Sequence, residues 1–528
     1  MPSPCHTTNP GTTQPFGAAL AGPAAAPAVW AMAAAALLIF LLPGMLGAYG
    51  MFIDEYYYAS CAARPDWGYV DHPPGAPLAL NVSLALLGEG LLALRLPAAL
   101  LGASLVLGVG LLSRRLGADH WGQAVACLAI VAAPIYQIIF GVFAMNAFEV
   151  VLWFAVGWTV IEVERRRAPR LWLLVGLLVG TALMFKHTSV LLVAALAIGL
   201  VVTPGRRHLR GRYLWLGALL SLVLLGPNLI WQASHGWPSL EFYRNADLSK
   251  NIETPVHIGF LLQVLVTGPG ALPLWVLGLV FFLRRRGDLD LRHLAWLSIV
   301  LLVLMLASQK SRPDRIAGMY PVLFAAGGAL LTRLTSSRAR RLRPAIVAWL
   351  VVSALPLVPL GLPILPPALL ARYAASTGFV PQIEAGPGKA ASLPQWFADR
   401  LGWERLVDVV EGARDRLPPT ERGEVVYFVP SYGHAGALEW HGKERGLVPV
   451  YCTQNTWYLW GPPPRPVTVA IVVGNTAGSL ATMFEHVEQA GYYEHDHIMP
   501  WRNRTAVWIV RGPREPIARM WPQWKHYE

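Results

Sequence analysis

Two adjacent carboxylates follow the first apolar segment of the chain, and they are the residues best placed to do chemistry. Asp54 and Glu55 open the run Asp-Glu-Tyr-Tyr-Tyr, and residues 67–74 then read Trp-Gly-Tyr-Val-Asp-His-Pro-Pro. An ionisable pair at the mouth of a membrane helix is costly to keep, so it is a functional candidate by default. A carboxylate at the water–lipid boundary can act as a general base towards an attacking hydroxyl or amine.

Neighbouring side chains on a helix diverge by about 100°, because a turn takes 3.6 residues. Asp54 and Glu55 therefore cannot both point at one substrate atom. We expect one of them to be catalytic and the other to orient or bind. The alternative for an isolated acidic pair is a helix cap that sits in headgroup water.

The composition of the chain is typical of a protein with many membrane segments. Hydrophobic residues make up 55% of the 528 residues and charged residues 14%, and the mean hydropathy is +0.44. The net charge of +12 does not indicate nucleic-acid binding, because the arginines lie in short clusters between apolar segments. The four cysteines show neither CxxC nor zinc-ligand spacing.

A span needs about 20 apolar residues, and we predict about eleven spans. They lie near residues 29–50, 90–112, 120–141, 147–163, 171–185, 188–203, 213–232, 257–283, 293–308, 316–331 and 344–366. Arginine clusters mark five of the loops, at residues 114–115, 165–170, 206–212, 284–292 and 333–343. These loops belong in the cytoplasm by the positive-inside rule. Nearly all the other polar residues of interest then fall on the outer face.

The chain divides into three predicted regions. Residues 1–28, rich in Ala, Pro and Thr, are expected to be a disordered cytoplasmic lead, and residues 29–368 the transmembrane core. Residues 369–528 contain no apolar run of membrane length. They are therefore expected to form a soluble domain on the outer face.

The pattern of this C-terminal region predicts a small α/β domain. Short β-branched runs at 425–429, 467–473 and 506–510 alternate with helical patterns at 395–416 and 477–490. No glycine-rich phosphate loop stands at the strand ends, so we do not expect a nucleotide-binding domain.

The loop that begins at Asp54 resembles the first outer loop of bacterial members of the dolichyl-phosphate-mannose protein mannosyltransferase-like superfamily. These are membrane glycosyltransferases of the GT-C fold, related to the aminoarabinose transferases that modify lipid A. The resemblance continues in the expected order through motifs at residues 145–149, 185–188, 227–232, 320–327, 432–437 and 457–462. That order, over most of the chain, is more specific than any single motif.

The resemblance implies a polytopic α-helical membrane protein with a GT-C-like core and inverting transfer of a sugar from a polyprenyl-phosphate carrier. The acceptor would be an envelope protein, glycolipid or polysaccharide at the outer face of the bacterial inner membrane. In similar enzymes the acidic residue of the first loop is the catalytic base, which maps onto Asp54, with Glu55 its neighbour. No cofactor and no nucleic-acid partner are expected.

The alternative function is a flippase for the polyprenyl-linked sugar, without transferase activity. Such a transporter would show polar residues near the middle of several spans and an internal repeat. Neither is evident in the sequence.

Basic residues on the predicted outer face are candidate ligands of the carrier phosphate, because a cation stabilises charge that develops on a leaving phosphate. The candidates are Lys186, Lys310, Arg312 and Arg315. Lys186 lies within a long apolar stretch, where an ammonium without an anionic partner is costly. For residues 310–315 the alternative is a charged loop that reaches to the headgroups. Similar proteins commonly carry an Asp-Tyr-Tyr-type segment after the lysine, and its absence here is consistent with a different sugar or acceptor.

Further polar residues are candidates for binding the sugar or the acceptor, namely Tyr57, Asp71, His72, Asn146, Glu149, His187, His235 and Tyr320. Asn146 and Glu149 could orient a substrate, or could satisfy free N–H groups at a helix start. Asp71, His72 and His235 could share a divalent metal, but scattered ligands are weak evidence, so no metal is expected.

A reporter that is active only outside the cytoplasm tests the predicted topology. Fused after residue 528 it should be active, and fused after Arg210 it should be inactive, because arginine-rich loops stay inside. The opposite pattern would place Asp54 on the cytoplasmic face and would contradict an outer-leaflet donor.

Overall fold

The computed structural model describes residues 25–249, 253–284, 289–310, 312–378 and 391–528. Most of the lead predicted for residues 1–28 lies outside the described residues, and the first helix begins at Pro27.

The regular secondary structure of the described membrane core consists of helices. They are α1 (Pro27–Leu46), α2 (Ile53–Ala63), α3 (Gly75–Leu87), α4 (Leu91–Arg115), α5 (His120–Ala132), α6 (Pro134–Phe140), α7 (Met145–Arg166), α8 (Trp172–Phe185), α9 (Val190–Val201), α10 (Arg212–Ser234), α11 (Pro238–Ser249), α12 (Val256–Thr267), α13 (Leu272–Leu283), α14 (Arg292–Ser308), α15 (Tyr320–Leu334), α16 (Arg343–Ala354), α17 (Val358–Gly361) and α18 (Pro367–Thr377). Short 3₁₀ segments extend or join several of them, including His187–Ser189, Pro204–Arg210 and Pro313–Met319.

The helix lengths confirm a multi-pass membrane protein. Within the described ranges, six helices are long and apolar enough to cross a membrane, or nine segments if each of three bent pairs is one span. Shorter apolar helices lie at Gly75–Leu87, Pro169–Phe185 and Arg292–Ser308. The helices cover the predicted spans, and α3 is an additional apolar helix that the sequence analysis did not separate. The number of about eleven spans stays a prediction.

The basic loops meet at one end of the core. Glu162, near the end of α7, lies 3.7 Å from Arg115 Nε and 2.6 Å from Arg166 Nε. Glu164 forms an ion pair with Arg207. Three arginine clusters that are distant in sequence therefore share the carboxylates of one helix. Two of the predicted site residues, Asn146 and Glu149, lie near the opposite end of the same helix.

The C-terminal region contains one mixed sheet with helices against it. Its helices are α19 (Gln395–Ala398), α20 (Trp403–Asp415), α21 (Pro419–Arg422), α22 (Tyr432–Gly442), α23 (Thr456–Leu459), α24 (Ala477–Met483) and α25 (Ile517–Met520). Its strands are β1 (Val426–Val429), β2 (Val450–Cys452), β3 (Val469–Val473), β4 (Phe484–Tyr493) and β5 (Thr505–Pro513). The order across the sheet is β2-β1-β3-β5-β4. The first three strands are parallel, and β5 and β4 continue the sheet in antiparallel pairs.

The three predicted strands are confirmed, but the helical pattern at 477–490 was wrong beyond Met483. Residues 484–493 form the edge strand β4, which pairs with β5. Most side chains of β4 are at least partly exposed, so the strand lacks an alternating apolar pattern. Pairing with its neighbour therefore decides its conformation. The helix predicted at 395–416 is interrupted at Gly402, which has φ +83°.

Helix α22 of the α/β domain packs directly on α2 of the core. A Cβ atom at Gly436 would lie 2.7 Å from the carbonyl oxygen of Tyr56, and one at Gly433 would overlap Ile53. The two glycines thus allow a close approach that larger residues would prevent. The tyrosines of α2 belong to the same apolar cluster as the interior of the α/β domain.

Polar contacts reinforce this packing along the length of α2. Tyr56 Oη lies 2.9 Å from His441 Nε2, and the Ser60 hydroxyl donates to Glu439 at 2.8 Å. Arg64 forms an ion pair with the same Glu439. The predicted domain boundary after residue 368 falls inside α18, whose buried side chains join the same cluster. The two regions therefore share one interior across their interface.

Candidate functional site

Helix α2 places the two candidate carboxylates in different environments. Both lie in its first turn, where free N–H groups and the helix dipole favour negative charge. The Phe52 N–H donates to Glu55 Oε2 at 2.8 Å, which closes the turn. Asp54 is half-buried and Glu55 is fully buried. The side chains diverge as helix geometry predicts.

Glu55 is engaged by groups inside the protein. Its Oε1 accepts a hydrogen bond from the Phe143 N–H at 2.8 Å, and its Oε2 lies 2.9 Å from Arg95 Nη2. Both partners of this ion pair are almost completely inaccessible. Glu55 is therefore out of reach of a substrate, and its geometry holds the start of α2 against α4. A role in orienting Asp54 stays a prediction.

Asp54 lies where two cavities meet. Its Oδ1 accepts a hydrogen bond from the Tyr432 hydroxyl at 3.0 Å. One cavity, here called the apolar groove, has a volume of about 610 Å³. The other, the polar cleft, has a volume of about 640 Å³. Phe52, Asp54 and Arg312 line both, so ligands can approach this carboxylate from two directions.

The apolar groove suits a hydrocarbon chain with a polar end. Its apolar walls are mainly Pro134, Ile135, Ile138, Ile139, Val142, Ile258, Leu262, Leu265, Val266, Leu357 and Leu360. Its ionisable and amide side chains include Asp54, Asn146, Glu253, Lys310, Arg312, Asp314 and Arg400. A mostly apolar cavity with a few polar groups is the usual form of a ligand site.

The sequence analysis missed Arg400, which the α/β domain contributes to the apolar groove. The residue is 2% exposed, and its Nε and Nη1 atoms have no hydrogen-bond partner among the described residues. Burial, and then repulsion from Arg95, lowers the pKa of Arg400 to about 9, so the group is still charged at neutral pH. A buried charge is costly without a counter-ion. The sequence did offer one signal of a buried charge here, because the charged pair Asp399-Arg400 stands between two apolar residues.

Two of the predicted phosphate ligands line the apolar groove, namely Lys310 and Arg312. Arg312 Nε lies 3.5 Å from Asp314 Oδ1. Asp314 Oδ2 in turn accepts a hydrogen bond from Asn146 Nδ2 at 2.9 Å. The motif at the start of α7 and the segment before α15 are thus joined at the polar part of the groove.

Lys186 is buried and has an anionic partner inside the protein. Its Nζ lies 2.8 Å from Glu149 Oε2, and the Thr188 hydroxyl donates to Glu149 Oε1 at 2.9 Å. The anionic partner that this position requires is therefore supplied inside the protein, by α7. Lys186 is not among the described residues that line either cavity. Its role as a phosphate ligand stays a prediction.

Tyr57, Asp71 and His72 form a cluster that ties the loop after α2 to the α/β domain. Tyr57 Oη lies 2.8 Å from Asp71 Oδ1 and 2.6 Å from Thr456 Oγ1. Burial raises the pKa of the Tyr57 hydroxyl, so it remains a proton donor. His72 is buried and packs against the rings of Tyr57 and Tyr58. A direct role in substrate binding stays a prediction for all three.

The remaining candidates lie apart from the cavities. Tyr320 is buried in the core and donates to Gln263 Oε1 at 2.6 Å. His187 Nε2 lies 2.9 Å from an amide oxygen of α10, and His235 is exposed just beyond that helix. Together with Arg315, they are not among the described residues that line the groove or the cleft.

The described residues contain no group of three or more His, Cys, Asp or Glu side chains arranged to hold a metal ion. His72 Nε2 and Asp71 Oδ1 are 4.0 Å apart. His235 instead stacks on Trp231. The expected absence of a metal and of a cofactor stays a prediction.

Comparisons with known proteins bear on the fold of the chain. Residues 71–231 match the model of the family described as dolichyl-phosphate-mannose-protein mannosyltransferase. ArnT from Cupriavidus metallidurans bound to undecaprenyl phosphate aligns with a TM-score of 0.58 and 17% identity, over 92% of this chain and 98% of that chain. Its apo state aligns with the same TM-score and identity, over 91% and 97%. A search of curated proteins finds no match. The chain has the GT-C fold of ArnT, and the resemblance seen in the sequence is confirmed.

Glu55→Gln should destabilise the protein. The change leaves the buried Arg95 without a counter-charge, and breaking a buried ion pair typically costs about 3–5 kcal/mol. Thermal unfolding in detergent should therefore show a lower midpoint, whereas Glu89→Gln, at an exposed turn, should behave as wild type. An unchanged midpoint for Glu55→Gln would contradict the anchoring role.

Tyr432→Phe should move the acid limb of the pH–rate profile to higher pH if Asp54 is the base. The ionised carboxylate loses a hydrogen-bond donor that favours its charged form. Tyr451→Phe, on β2, is the matched control. Identical profiles for the two variants would show that the Tyr432 hydroxyl does not tune the reacting group.

Proposed function

We propose, from the premise that this chain is a membrane protein of the GT-C fold, that it transfers a sugar from a polyprenyl-phosphate carrier to an envelope acceptor. The observation that carries the proposal is the position of Asp54 at the junction of the apolar groove and the polar cleft. The ArnT structure that contains undecaprenyl phosphate supports this choice of carrier.

The carrier lipid occupies the apolar groove in this proposal. Its hydrocarbon packs on the aliphatic walls, and its phosphate lies among Lys310, Arg312 and Arg400. Arginine can hold a phosphate through two parallel N–H···O bonds, whereas lysine acts as a point charge. The unpartnered N–H groups of Arg400 make it the leading phosphate ligand.

The acceptor enters from the polar cleft and meets the sugar at Asp54. Asp54 takes the proton of the acceptor hydroxyl while the oxygen of that hydroxyl forms a bond to the anomeric carbon of the donor sugar. The bond between that carbon and the phosphate oxygen breaks, and polyprenyl phosphate leaves with the electron pair. One displacement from the face opposite the phosphate inverts the anomeric centre. The arginines stabilise the charge that develops on the leaving phosphate.

The outer face of the membrane is the proposed side of the reaction. Three of the five arginine-rich loops gather around Glu162 and Glu164 at one end of α7, and Asn146 lies at its other end. Because basic loops are retained in the cytoplasm, the end with Asp54 faces outward. This side gives access to an envelope acceptor.

Asp54→Asn should lower turnover by about 10²–10⁴-fold, the usual effect of losing a positioned proton acceptor. The assay measures transfer from a short-chain polyprenyl-phosphate sugar to an envelope extract in detergent. Asp496→Asn, at an exposed turn of the α/β domain, is the control. Near-wild-type turnover of Asp54→Asn would refute the assignment of Asp54 as the general base. Absence of transfer by wild type, with movement of the labelled lipid in vesicles, would favour a flippase.

Arg400→Met separates a binding role from a structural one. The Nε and Nη1 atoms of Arg400 have no hydrogen-bond partner among the described residues, so removing this buried charge should leave the unfolding midpoint unchanged or higher. Losing the phosphate ligand should lower kcat/KM by about 10²–10³-fold. Arg416→Met, which removes an exposed arginine of the same domain, should change neither. Parallel loss of stability and activity in Arg400→Met would indicate a structural residue.

A further inference from the structure

The polar cleft opens at the carboxyl ends of the three parallel strands of the α/β domain. Its lining includes Ser431, which follows β1, Gln454, which follows β2, and Asn475, which follows β3. Strands β2 and β3 lie on opposite sides of β1, so the connections that leave β1 and β3 diverge. Ligands of open α/β sheets bind in the crevice at such a point.

The turn after β3 brings a polar side chain to this crevice. Gly474 has φ +88° and Asn475 has φ +64°, so two successive residues adopt the left-handed conformation. A Cβ atom at position 474 would stand 3.6 Å from Pro430, on the opposite wall. The chain thus turns sharply at the end of β3 and brings the Asn475 amide to the cleft.

The cleft offers hydrogen-bonding groups beside an accessible aromatic ring. Trp501 is 39% exposed and lines the same cavity as Asn475. Within the described part of the chain, neither the Asn475 amide nor the Trp501 indole N–H has a hydrogen-bond partner. An amide can donate to one hydroxyl and accept from another. An indole ring offers a flat apolar face together with one polar N–H.

These groups fit a glycan better than a lipid or a polyanion. A sugar ring carries many hydroxyls for amides to bind and a C–H-rich face that can stack on an indole. The charged residues of the cleft have both signs, with Asp399 and Glu528 opposite in charge to Arg312 and Arg504. No single sign is therefore available to attract a polyanion. The extensive aliphatic walls that an acyl chain needs belong to the apolar groove.

We infer that the polar cleft is the acceptor site and that the acceptor is a glycan chain. Asn475 hydrogen-bonds its hydroxyls, and Trp501 stacks against one of its rings. A terminal sugar then reaches Asp54, which also lines the cleft. The inference rests on the proposed function only for the transfer step. In that step Asp54 takes the proton of the glycan hydroxyl, and the hydroxyl oxygen replaces the phosphate oxygen at the donor carbon.

Binding can be measured without turnover. The probe is the pool of fluorescently labelled oligosaccharides released from the envelope of the source cells, passed over the immobilised full-length protein in detergent. Wild type should retain a fraction of the pool, and Trp501→Leu and Asn475→Gly should each weaken retention at least tenfold. Glycine suits the left-handed backbone at position 475, so this change removes the amide without strain. Tyr492→Ala and Gln489→Ala, on the exposed edge strand β4, are the matched controls.

The outcomes keep this inference apart from the proposed function. Asp54→Asn should retain the oligosaccharides as wild type does while losing transfer. Retention by wild type without any transfer would refute the transferase and leave the glycan site standing. No retention of any oligosaccharide, or equal retention by both cleft variants and wild type, would overturn the inference. So would transfer of the donor sugar only to the lipid or protein fraction of the envelope, with both cleft variants fully active.

Discussion

The close contact between α2 and α22 is the constraint on which the site depends. Gly433 and Gly436 let the two helices approach until the Tyr432 hydroxyl reaches Asp54. Asp54 belongs to the membrane core and Tyr432 to the α/β domain, so neither region defines the surroundings of the carboxylate alone. The groove and the cleft share an edge for the same reason, because both are bounded by the start of α2. A side chain larger than hydrogen at position 436 would force the helices apart and separate the Tyr432 hydroxyl from Asp54.

Charges near this interface fall into two classes. Glu55 with Arg95, and Lys186 with Glu149, are buried pairs that neutralise each other inside the protein. Such pairs fix geometry, because separating them leaves an uncompensated charge in a medium of low dielectric. Arg400 is different, since it is equally buried but its Nε and Nη1 atoms have no hydrogen-bond partner among the described residues. Among the described residues, Arg400 is therefore a buried cation that faces the groove, whereas the two buried pairs support the structure.

Sequence patterns recovered the membrane core and the α/β domain, because apolar length and strand composition are local properties. They also singled out the loop at Asp54, whose catalytic role stays a prediction. The role of Glu55 could not be read in this way, since Arg95 comes from α4 and Phe143 from the segment before α7. Lys186 was recognised as unusual, but its partner Glu149 lies 37 residues earlier and meets it only in the folded bundle. Arg400 was missed because its significance lies in a cavity built by other elements. The strand β4 was misread because its edge position removes the apolar alternation that marks a strand.

The contacts between the two regions also determine when the candidate site can form during synthesis. Asp54 and Tyr432 are 378 residues apart in the chain, which corresponds to about 20–80 s of translation at 5–20 residues per second. A nascent core that has already entered the bilayer has its carboxylate but neither Tyr432 nor Arg400. The tyrosines of α2 also lack their apolar partners during this interval. Synthesis of the α/β domain is therefore the event that completes the candidate site, and a chain released before this domain is made would insert into the membrane without Tyr432 and Arg400.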